Sequence, residues 1–353
     1  MNERERPLIL DYECLHSMPS GLREVRVWLD PLLETWLVGK RIDLSEVQGS
    51  DLVEPRVMEM ITHPNVVKVR SVASVPSFKA PMQVVEVFMP YYERGSITDA
   101  MLRGEHFTAA ESLRIIRAAL QGLTEMHERY KILHRDVKSP NLFLSGDADT
   151  VKIGDLGLAG AMDDTGRAPC VNAPHLYAPP ELLTADGLSR SSDLYSLGVV
   201  LIELLRGRFD YATYTTTDVV DALLAGQPPL RKEDTALPPW VCKSLRKLVR
   251  KATDPDPARR FQTAREMSDQ IAKIRIADWQ KTEEHIWEAP FLRSPKTRVR
   301  ITARPSKDGG ITLATQRKKT LSWRQLEKAV TVPSLDHSDA CAVFERANSR
   351  AVS

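Results

Sequence analysis

Four polar residues near the middle of the chain have the types and spacing that metal-assisted chemistry on a phosphate requires. Asp136, Lys138 and Asn141 stand at offsets of two and five, and Asp155 follows a second apolar stretch. Mg²⁺ prefers oxygen ligands and takes few from protein when it also binds phosphates, so Asn141 and Asp155 predict a magnesium site. Asp136 can accept a hydroxyl proton, and Lys138 can neutralise a moving phosphoryl group. Taken singly, each aspartate could be an ordinary turn or cap residue, and it is the combination that favours chemistry.

The elements that must hold these residues differ before and after them. The first hundred residues contain short β-branched runs such as VRVWL, VVKVRSV and MQVVEVFM, which predict a small antiparallel sheet. A helix is expected to interrupt it near residues 54–61. From Thr108 onwards, and again over residues 194–204, apolar residues recur at helical spacing. We therefore expect an α+β fold with a small β-rich first lobe and a larger helical second lobe, and the polar residues between them.

Two stretches of the central region resemble the eukaryotic-like protein kinases. Residues 134–141 (HRDVKSPN) are similar to the catalytic loop of that family, and residues 151–157 (VKIGDLG) are similar to its metal-binding loop. The resemblance covers about residues 13–274, and its short motifs look like those of bacterial members. It implies a two-lobed kinase-like fold, ATP and Mg²⁺ as cofactors, and transfer of the γ-phosphoryl group to a protein substrate. Lys138, two residues after Asp136, is typical of the kinases that act on serine and threonine.

Later motifs resemble the same family. Residues 192–198 (SDLYSLG) are similar to the start of the buried helix on which kinases anchor the catalytic loop. Residues 177–181 (YAPPE) resemble the end of the activation segment, and residues 256–261 (DPARRF) resemble the late arginine motif. The resemblance implies that Arg260 pairs with Glu181.

In the first lobe the resemblance implies a lysine that holds the α- and β-phosphates and a glutamate that pairs with it. Lys40 lies at the matching place in the strand WLVGK, and Glu54 matches by its distance from residues 63–65 (HPN). Pro55 follows Glu54, and because proline is tolerated in the first turn of a helix, Glu54 is expected at the very start of its helix. These two residues join the aspartate and lysine of the catalytic loop in the predicted catalytic set.

Nucleotide contacts are implied in three places. A loop before the strand VRVWL would cover the phosphates, the segment after VVEVFM would be the hinge that bonds adenine through its backbone, and the next helix would begin near the ribose. As isolated residues, the hinge set could equally be core or edge side chains. The implied residues are Ser20, Gly21, Arg23 and Val25 in the loop, Met89 as gatekeeper with Tyr91 and Tyr92 at the hinge, and Ser96 or Asp99 at the ribose, together with Lys40, Lys138, Asn141 and Asp155.

The sequence departs from the kinase pattern in two loops. The three glycine positions of the phosphate-covering loop hold Met18, Ser20 and Arg23, and only Gly21 supplies a flexible residue. Glycines let the backbone approach phosphates closely, so poorer cover of the nucleotide is predicted. Residues 173–174 (AP) stand where the family has Gly-Thr, so the threonine hydroxyl that bridges the base and its lysine is missing. These departures support a second interpretation, in which the chain is a pseudokinase that serves as a nucleotide-binding or regulatory scaffold. The presence of the complete catalytic set argues against it.

Three residues near the predicted base have two interpretations each. His134 is expected to be a structural histidine packed under the loop rather than a proton carrier. Arg135 is either structural or binds a phosphorylated activation segment through paired hydrogen bonds. Thr165 is the natural phosphorylation site for the second of these, although a threonine beside two aspartates is also typical of a solvated turn.

The C-terminal part differs from the rest in charge. Residues 289–353 contain 13 basic and 5 acidic residues, whereas residues 1–288 contain 36 basic and 42 acidic ones. Two β-rich runs flank residues 306–310 (SKDGG), which predicts a hairpin, and a helix is expected from Ser322. We interpret this part as a small basic α+β appendage. The predicted organisation is an N-terminal extension (1–12), the first lobe (13–92), the second lobe (93–280) and the appendage (281–353).

The basic residues of the appendage have two candidate partners. They could follow the phosphate backbone of a nucleic acid, which would make binding strongly salt-dependent. They could equally dock on the acidic remainder of the chain or on another protein, which we favour because charge runs usually contact the opposite charge. A third interpretation of function is therefore a kinase gated by nucleic acid or protein binding to the appendage.

Composition sets the outer limits of these interpretations. With 353 residues and 42% hydrophobic content, the chain can bury one large core or two modest ones, which excludes a disordered tail or a solenoid array. The formal charge of +2 argues against a surface that binds nucleic acid throughout. The four cysteines form no CxxC pair and fit a cytoplasmic location. No apolar run is long enough for a membrane span or a signal core, so we expect no membrane partner.

Overall fold

An antiparallel sheet and one short helix form the N-terminal lobe. The computed structural model describes residues 11–18, 25–43, 54–78, 83–145, 151–307, 309–319 and 321–353. The elements of this lobe are β1 (Glu13–Met18), β2 (Val25–Asp30), β3 (Thr35–Asp43), α1 (Glu54–Met60), β4 (Ser71–Ser74) and β5 (Val84–Pro90). The strands pair in the order β1-β2-β3-β5-β4, so the predicted sheet and the helix that interrupts it are both confirmed.

The turn between β2 and β3 fixes the register of the sheet. Asp30 closes it, because its carboxylate accepts hydrogen bonds from the amides of Leu32 (3.0 Å) and Leu33 (3.1 Å). Aspartate favours such turns since its short side chain bonds the backbone two and three residues further on. The resulting register places Val25 opposite Lys40, on the strand that also pairs with β5.

The C-terminal lobe is mainly helical, with short paired strands around its loops. Its helices are α2 (Ile97–Leu102), α3 (Ala109–Thr124), α4 (Arg190–Arg206), α5 (Thr216–Leu224), α6 (Lys243–Ala252) and α7 (Ala264–Ala272). Its strands are β6 (Ile132–Leu133), β7 (Leu142–Leu144), β8 (Val151–Ile153), β9 (Gly160–Ala161), β10 (Arg167–Ala168) and β11 (Leu188–Ser189). The strands pair as β6–β9, β7–β8 and β10–β11.

Two buried helices form the centre of this lobe, as the periodicity predicted. α3 begins after Thr108, whose hydroxyl accepts from the amide of Glu111 (3.2 Å), while the Glu111 carboxylate accepts from the amide of Thr108 (2.8 Å). This reciprocal cap satisfies two amides that the helix itself cannot bond. Residues 191–205 of α4 are all buried, as expected of a helix that is surrounded by protein on every side.

A second hydrophobic core lies at the C-terminal end of the chain. Its elements are β12 (Gln280–Glu283), β13 (Ile286–Phe291), β14 (Ser294–Pro305), β15 (Ile311–Lys318), β16 (Trp323–Gln325), β17 (Val330–Val332) and α8 (Ser338–Val352). The sheet is antiparallel, and Trp287, Val299 and Ile301 on one of its faces are buried with Phe344 of α8. The predicted hairpin is confirmed, because β14 and β15 pair from Pro305 opposite Ile311 onwards.

The prediction of a helix from Ser322 is wrong, because this segment forms the strand β16. Trp323 lies opposite Lys318 in the sheet. Its ring lies 4.1 Å below the guanidinium of Arg300, on the face turned away from α8. Cross-strand contacts of this kind stabilise a strand, and they decide the conformation of a short segment whose own helix preference is weak.

The appendage packs on the second lobe through α8. The first amide of α6, that of Lys243, donates to the carboxylate of Glu345 (2.8 Å), while the Cys242 side chain makes no capping bond. A carboxylate at a helix N-terminus is favourable because the amides there lack partners and carry partial positive charge. Trp240 contacts the hydrophobic cores of both units. In the part of the chain that the structure describes, no helix combines the length and apolarity that a membrane crossing needs.

Candidate functional site

The loop that carries Asp136 is anchored by a buried aspartate in α4. The Asp193 carboxylate accepts hydrogen bonds from the amides of His134 and Arg135 and from Nε2 of His127, each 2.8 Å long. Burial tends to raise the pKa of Asp193, but the contacts with the two histidines outweigh it and lower the pKa below its ordinary value of 3.8. The carboxylate is therefore charged, and it fixes the backbone immediately before Asp136.

His134 has the structural role that the sequence predicted. Its Nδ1 accepts the amide hydrogen of Asp136 (3.2 Å), so its Nε2 carries the proton and donates to the carbonyl of Gly154 (3.1 Å). The ring is completely buried. It joins the catalytic loop to the segment that carries Asp155 and leaves no nitrogen for proton transfer.

The Asp136 carboxylate lies at the centre of the site. Its Oδ2 lies 2.9 Å from Nζ of Lys138 and accepts a hydrogen bond from Nδ2 of Asn141 at the same distance. Its Oδ1 lies 3.1 Å from Nε2 of His175. Burial tends to raise the pKa of Asp136, but the contacts with His175 and Lys138 outweigh it and lower the pKa to about 2. Asp136 is therefore a charged acceptor at neutral pH.

Asn141 and Asp155 lie at the two ends of the β7–β8 hairpin, which brings them together. The amide of Gly154 donates to the carbonyl of Asn141 (2.9 Å), which closes this hairpin. Asp155 has a left-handed backbone with φ 56°, which few non-glycine residues adopt, and its carboxylate pairs with Nζ of Lys40 at 2.5 Å. This contact joins the two lobes.

The donor set fits Mg²⁺ bound together with phosphates. Nδ2 of Asn141 donates both to the Asp136 carboxylate and to the Asp136 carbonyl (2.9 Å each), so its Oδ1 points away from Asp136. The Asp155 side chain is 38% exposed and therefore accessible to a ligand. Among the described residues, no three acidic, histidine or cysteine side chains form a cluster that could hold a metal alone. Two oxygen donors are what Mg²⁺ takes from protein when phosphates and water complete its shell.

Of the predicted lysine–glutamate pair, the structure describes the side chain of Lys40 but not that of Glu54. Lys40 is buried, and the register of β2 and β3 places it opposite Val25. Glu54 is the first residue of α1, as predicted from Pro55, but its side chain lies outside the described part of the structure. Ser20, Gly21 and Arg23 also lie outside it.

The predicted hinge follows directly from β5. Met89 pairs with Val38 near the end of that strand. The amide of Tyr91 donates to the carbonyl of Trp36 (3.2 Å), so this hinge donor is used within the protein. Tyr92 stacks on Phe143 with ring centroids 5.7 Å apart, and burial raises its pKa to about 12.

Ser96 and Asp99 form the cap of α2. The Asp99 carboxylate accepts from both the amide and the hydroxyl of Ser96 (2.7 Å each), and the Asp99 amide donates to that hydroxyl (3.2 Å). Ser96 is buried, and its hydroxyl takes part in two of the three bonds of this cap. Contact of Ser96 or Asp99 with a ribose stays a prediction.

Comparison with known proteins identifies the family. Residues 35–271 match the protein kinase domain. The chain belongs to the protein kinase family. It is 32% identical over 227 residues to the serine/threonine-protein kinase PknJ of Mycobacterium tuberculosis, a match that covers 62% of this chain and 36% of PknJ. PrkC of Bacillus subtilis is 26% identical over 227 residues (64% of this chain, 33% of PrkC), and PknB of Mycolicibacterium smegmatis is 28% identical over 254 (70% and 38%). The chain thus spans less than two fifths of the length of each of these relatives.

Arg135 bonds three backbone carbonyls of the activation segment of this kinase. The guanidinium donates to the carbonyls of Leu158 (2.5 Å), Pro169 (2.7 Å) and Ala159 (3.0 Å). Gly160 permits this approach, since a Cβ at that position would lie 2.4 Å from the guanidinium carbon. Of the two interpretations of Arg135, the structure shows the structural one.

Thr165 lies in a tight turn of the same segment. Its hydroxyl donates to the Asp163 carboxylate (2.6 Å), which also accepts from the amides of Thr165 (2.8 Å) and Arg167 (3.0 Å). Thr165 is thus a turn residue in the structure. Arg167 lies in β10, whose pairing with β11 fixes the segment next to this turn.

The end of the activation segment is anchored by the predicted pair of Arg260 and Glu181. The two guanidinium nitrogens of Arg260 donate to the two carboxylate oxygens of Glu181 (2.8 and 2.7 Å). The same guanidinium donates to the carbonyls of Asp254 (2.6 Å) and Pro255 (2.9 Å) and lies over the ring of Tyr195 (4.6 Å). This bidentate geometry confirms the prediction and ties the segment to the rigid part of the lobe.

Sequence reasoning missed His175 beside Asp136. The sequence showed only that residues 173–174 lack the family's threonine, and a single histidine next to them gave no further signal. The chain reversal after Pro174 is what brings the ring to the Asp136 carboxylate.

Proposed function

We propose that this chain is an ATP-dependent protein kinase that transfers the γ-phosphoryl group to serine or threonine hydroxyls of protein substrates. One observation carries the proposal. A buried carboxylate, Asp136, is held against Lys138 and Asn141, one hairpin away from the Lys40–Asp155 pair. A structural module has no need to keep charged groups in this arrangement, because buried charges are costly unless paired or used.

In this proposal the protein acts mainly by positioning and electrostatics. Lys40, oriented by Glu54, contacts the α- and β-phosphates, and Lys138 contacts the γ-phosphoryl group. Asn141 and Asp155 would hold Mg²⁺, which when bound neutralises charge on the phosphates. Lys40 and Asp155, which pair with each other in the structure, would then contact the phosphates and the metal, respectively.

Asp136 accepts the proton in the transfer step. The substrate hydroxyl oxygen forms a bond to the γ-phosphorus, and the bond between that phosphorus and the β–γ bridging oxygen breaks. ADP leaves with the electron pair of that bond, and the hydroxyl proton passes to the Asp136 carboxylate. The low pKa of Asp136 keeps it free of a proton beforehand, and Lys138 stabilises the charge in transit.

The nucleotide lies in the proposal between the lobes, with adenine at the hinge. In the described chain, the Tyr92 amide has no hydrogen-bond partner, so it is the donor that we assign to adenine. Met89 would line the back of the pocket, and Asp99 would contact the ribose. Ser20, Gly21, Arg23 and Val25 would cover the phosphates.

Replacing Asp136 by asparagine tests the proposal. Purified protein is incubated with Mg²⁺ and ATP labelled at the γ-phosphate, with casein as acceptor, and phosphate incorporation is measured. A general base usually raises the reaction rate by about 10²- to 10⁴-fold. We therefore expect the rate of phosphate incorporation by Asp136→Asn to be at least about 100-fold lower than that of the wild type. Asp256→Asn is the matched control, because Asp256 is an exposed residue that caps a surface turn. Retained incorporation by Asp136→Asn would remove the assigned base.

The pseudokinase alternative makes a different prediction in the same experiment. A scaffold would show a Mg²⁺-dependent rise in melting temperature with ATP, but no incorporation by the wild-type protein. Incorporation that Asp136→Asn abolishes would exclude this alternative.

The partners of the appendage stay proposals as well. Two of its arginines are already engaged within the sheet, since Arg298 pairs with the Glu288 carboxylate (3.2 Å) and Arg300 donates to the neutral amide oxygen of Gln316 (2.8 Å). This agrees better with protein docking than with nucleic-acid binding. A salt-sensitive mobility shift with DNA or RNA would favour nucleic acid instead. A cytoplasmic location also stays a prediction.

A further inference from the structure

His175 contacts the carboxylate of the proposed base from the activation-segment side. Its Nε2 lies 3.1 Å from Oδ1 of Asp136, and the two side chains are 19% and 5% exposed. Asp136 and His175 are 39 positions apart in the sequence. Such a contact between a half-buried imidazole and a buried carboxylate requires both loops to be held in place.

The backbone fixes which nitrogen of His175 carries the proton. The amide of Tyr177 donates to Nδ1 (3.1 Å), so Nδ1 must be an acceptor. In a neutral imidazole the other nitrogen, Nε2, then carries the hydrogen. That hydrogen is on the nitrogen next to the carboxylate. Oδ1 of Asp136 is buried without a hydrogen-bond partner among the residues that the structure describes, so the 3.1 Å contact is a close approach, and the neutral ring is the nearby donor that could satisfy this oxygen without taking up a proton.

The contact restrains the part of the carboxylate that the catalytic loop leaves free. Lys138 and Asn141 both lie on Oδ2, whereas His175 lies on Oδ1. With groups on one oxygen alone, the carboxylate could rotate about its Cβ–Cγ bond. A donor to Oδ1 in addition to the groups on Oδ2 would hold both the plane of the carboxylate and its position.

We propose that His175 is a positioning residue that orients the Asp136 carboxylate for the substrate hydroxyl and replaces the threonine absent from residues 173–174. The inference rests on the proposed kinase function. It assigns to the imidazole N–H the hydrogen bond that a threonine hydroxyl would otherwise supply to the base. Because the histidine is part of the activation segment, it also links the position of that segment to the base.

Two substitutions separate this role from simple packing. His175→Phe keeps a ring of similar size and removes the donor, whereas His175→Gln removes the ring and keeps an N–H donor. A variant with Pro174→Thr and His175→Pro rebuilds the threonine at its family position. His337→Phe is the matched control, because His337 is an exposed residue that caps α8 in the appendage and is no part of the site.

The measurement is steady-state transfer from ATP to casein at saturating Mg²⁺, with kcat and the KM for ATP determined for each protein. A displacement of a reacting group by about 1 Å costs about 100-fold, so we expect His175→Phe to lower kcat by about 10- to 100-fold. The KM for ATP should change less than about twofold, because His175 does not contact the proposed nucleotide site. His175→Gln and the threonine variant should recover most of the lost kcat.

The outcomes distinguish this inference from the proposed function. Equal kcat for His175→Phe and the wild type would overturn the inference. An active His175→Phe beside an inactive His175→Gln would overturn it too, because it would show that the ring contributes by packing and not by its N–H donor. Melting temperatures show whether a variant has misfolded. If His175→Phe misfolds, the threonine variant tests the inference, because its kcat should recover only through the hydroxyl at position 174. A wild-type protein that transfers no phosphate would overturn the proposed function and this inference with it.

Discussion

Replacement of Asp193 by asparagine should release the catalytic loop while leaving the hydrophobic core packed. The Oδ2 atom of Asp193 accepts from His127 and from the amide of His134, and Oδ1 accepts from the amide of Arg135. Asparagine has the same shape, but its amide nitrogen only donates. In either orientation of the amide, at least one buried donor faces another donor.

The magnitude follows from these three bonds. Hydrogen bonds to a charged group contribute about 1.5–3 kcal/mol each, and a buried donor without a partner costs about 1–3 kcal/mol. Losing one bond while two others become neutral should therefore lower the free energy of unfolding by about 2–4 kcal/mol. Arg135 has a left-handed backbone, with φ 63°, which is strained for a side chain of this kind. Without its acceptor this residue should relax and carry Asp136 with it, at a cost in rate of about 100-fold for a 1 Å displacement.

Two assays check this prediction. Urea unfolding followed by circular dichroism gives the free energy of unfolding, and labelled ATP gives the transfer rate. Asp210→Asn is the control, because Asp210 is an exposed cap that accepts from the amide of Ala212 (3.2 Å) and asparagine caps equally well. A surface change of this kind should stay within about 0.5 kcal/mol of wild type. Our reasoning would be refuted by an Asp193→Asn variant that is as stable and as active as the control.

Three further predictions follow from the same contacts. Thr165→Ala should keep transfer within about twofold of wild type, because Arg135 already bonds three carbonyls of the segment, and a tenfold loss would show that a phosphate is needed. Arg260→Lys should lower the free energy of unfolding by about 2–4 kcal/mol, since lysine cannot form the two parallel bonds to Glu181, and urea unfolding measures it. Because the pKa of Asp193 is lower in the folded protein than its ordinary value of 3.8, the charged carboxylate stabilises the fold above pH 3.8. This stabilisation is lost as the pH falls through the folded pKa. As the pH is lowered below about 4, the urea concentration at the unfolding midpoint should therefore fall more for the wild type than for Asp193→Asn. An equal fall of the midpoint with pH in both proteins would contradict this.

The central site could be predicted because its residues are close together in the sequence. Asp136, Lys138 and Asn141 lie within one loop, and Asp155 follows a second apolar stretch soon after them. Short-range spacing therefore determined which side chains meet. The same holds for the cap of α3, where Thr108 and Glu111 are three residues apart.

Other features could not be predicted, because their partners are distant in the sequence. The segment after Ser322 forms a strand since β15 pairs with it, which no local pattern indicated. Arg135 had two interpretations until the carbonyls around it were known.

The sequence by itself determined the family, the two lobes and the identity of the charged residues, since motif spacing and apolar periodicity are properties of neighbouring positions. The tertiary structure decided which oxygen of Asp136 each partner contacts, that Asp155 meets Lys40 across the lobes, and that His175 stands beside the base. These contacts join residues that only the packing of buried helices and strands brings within hydrogen-bond distance. The direction and reach of a side chain depend on that packing, and no local pattern encodes it.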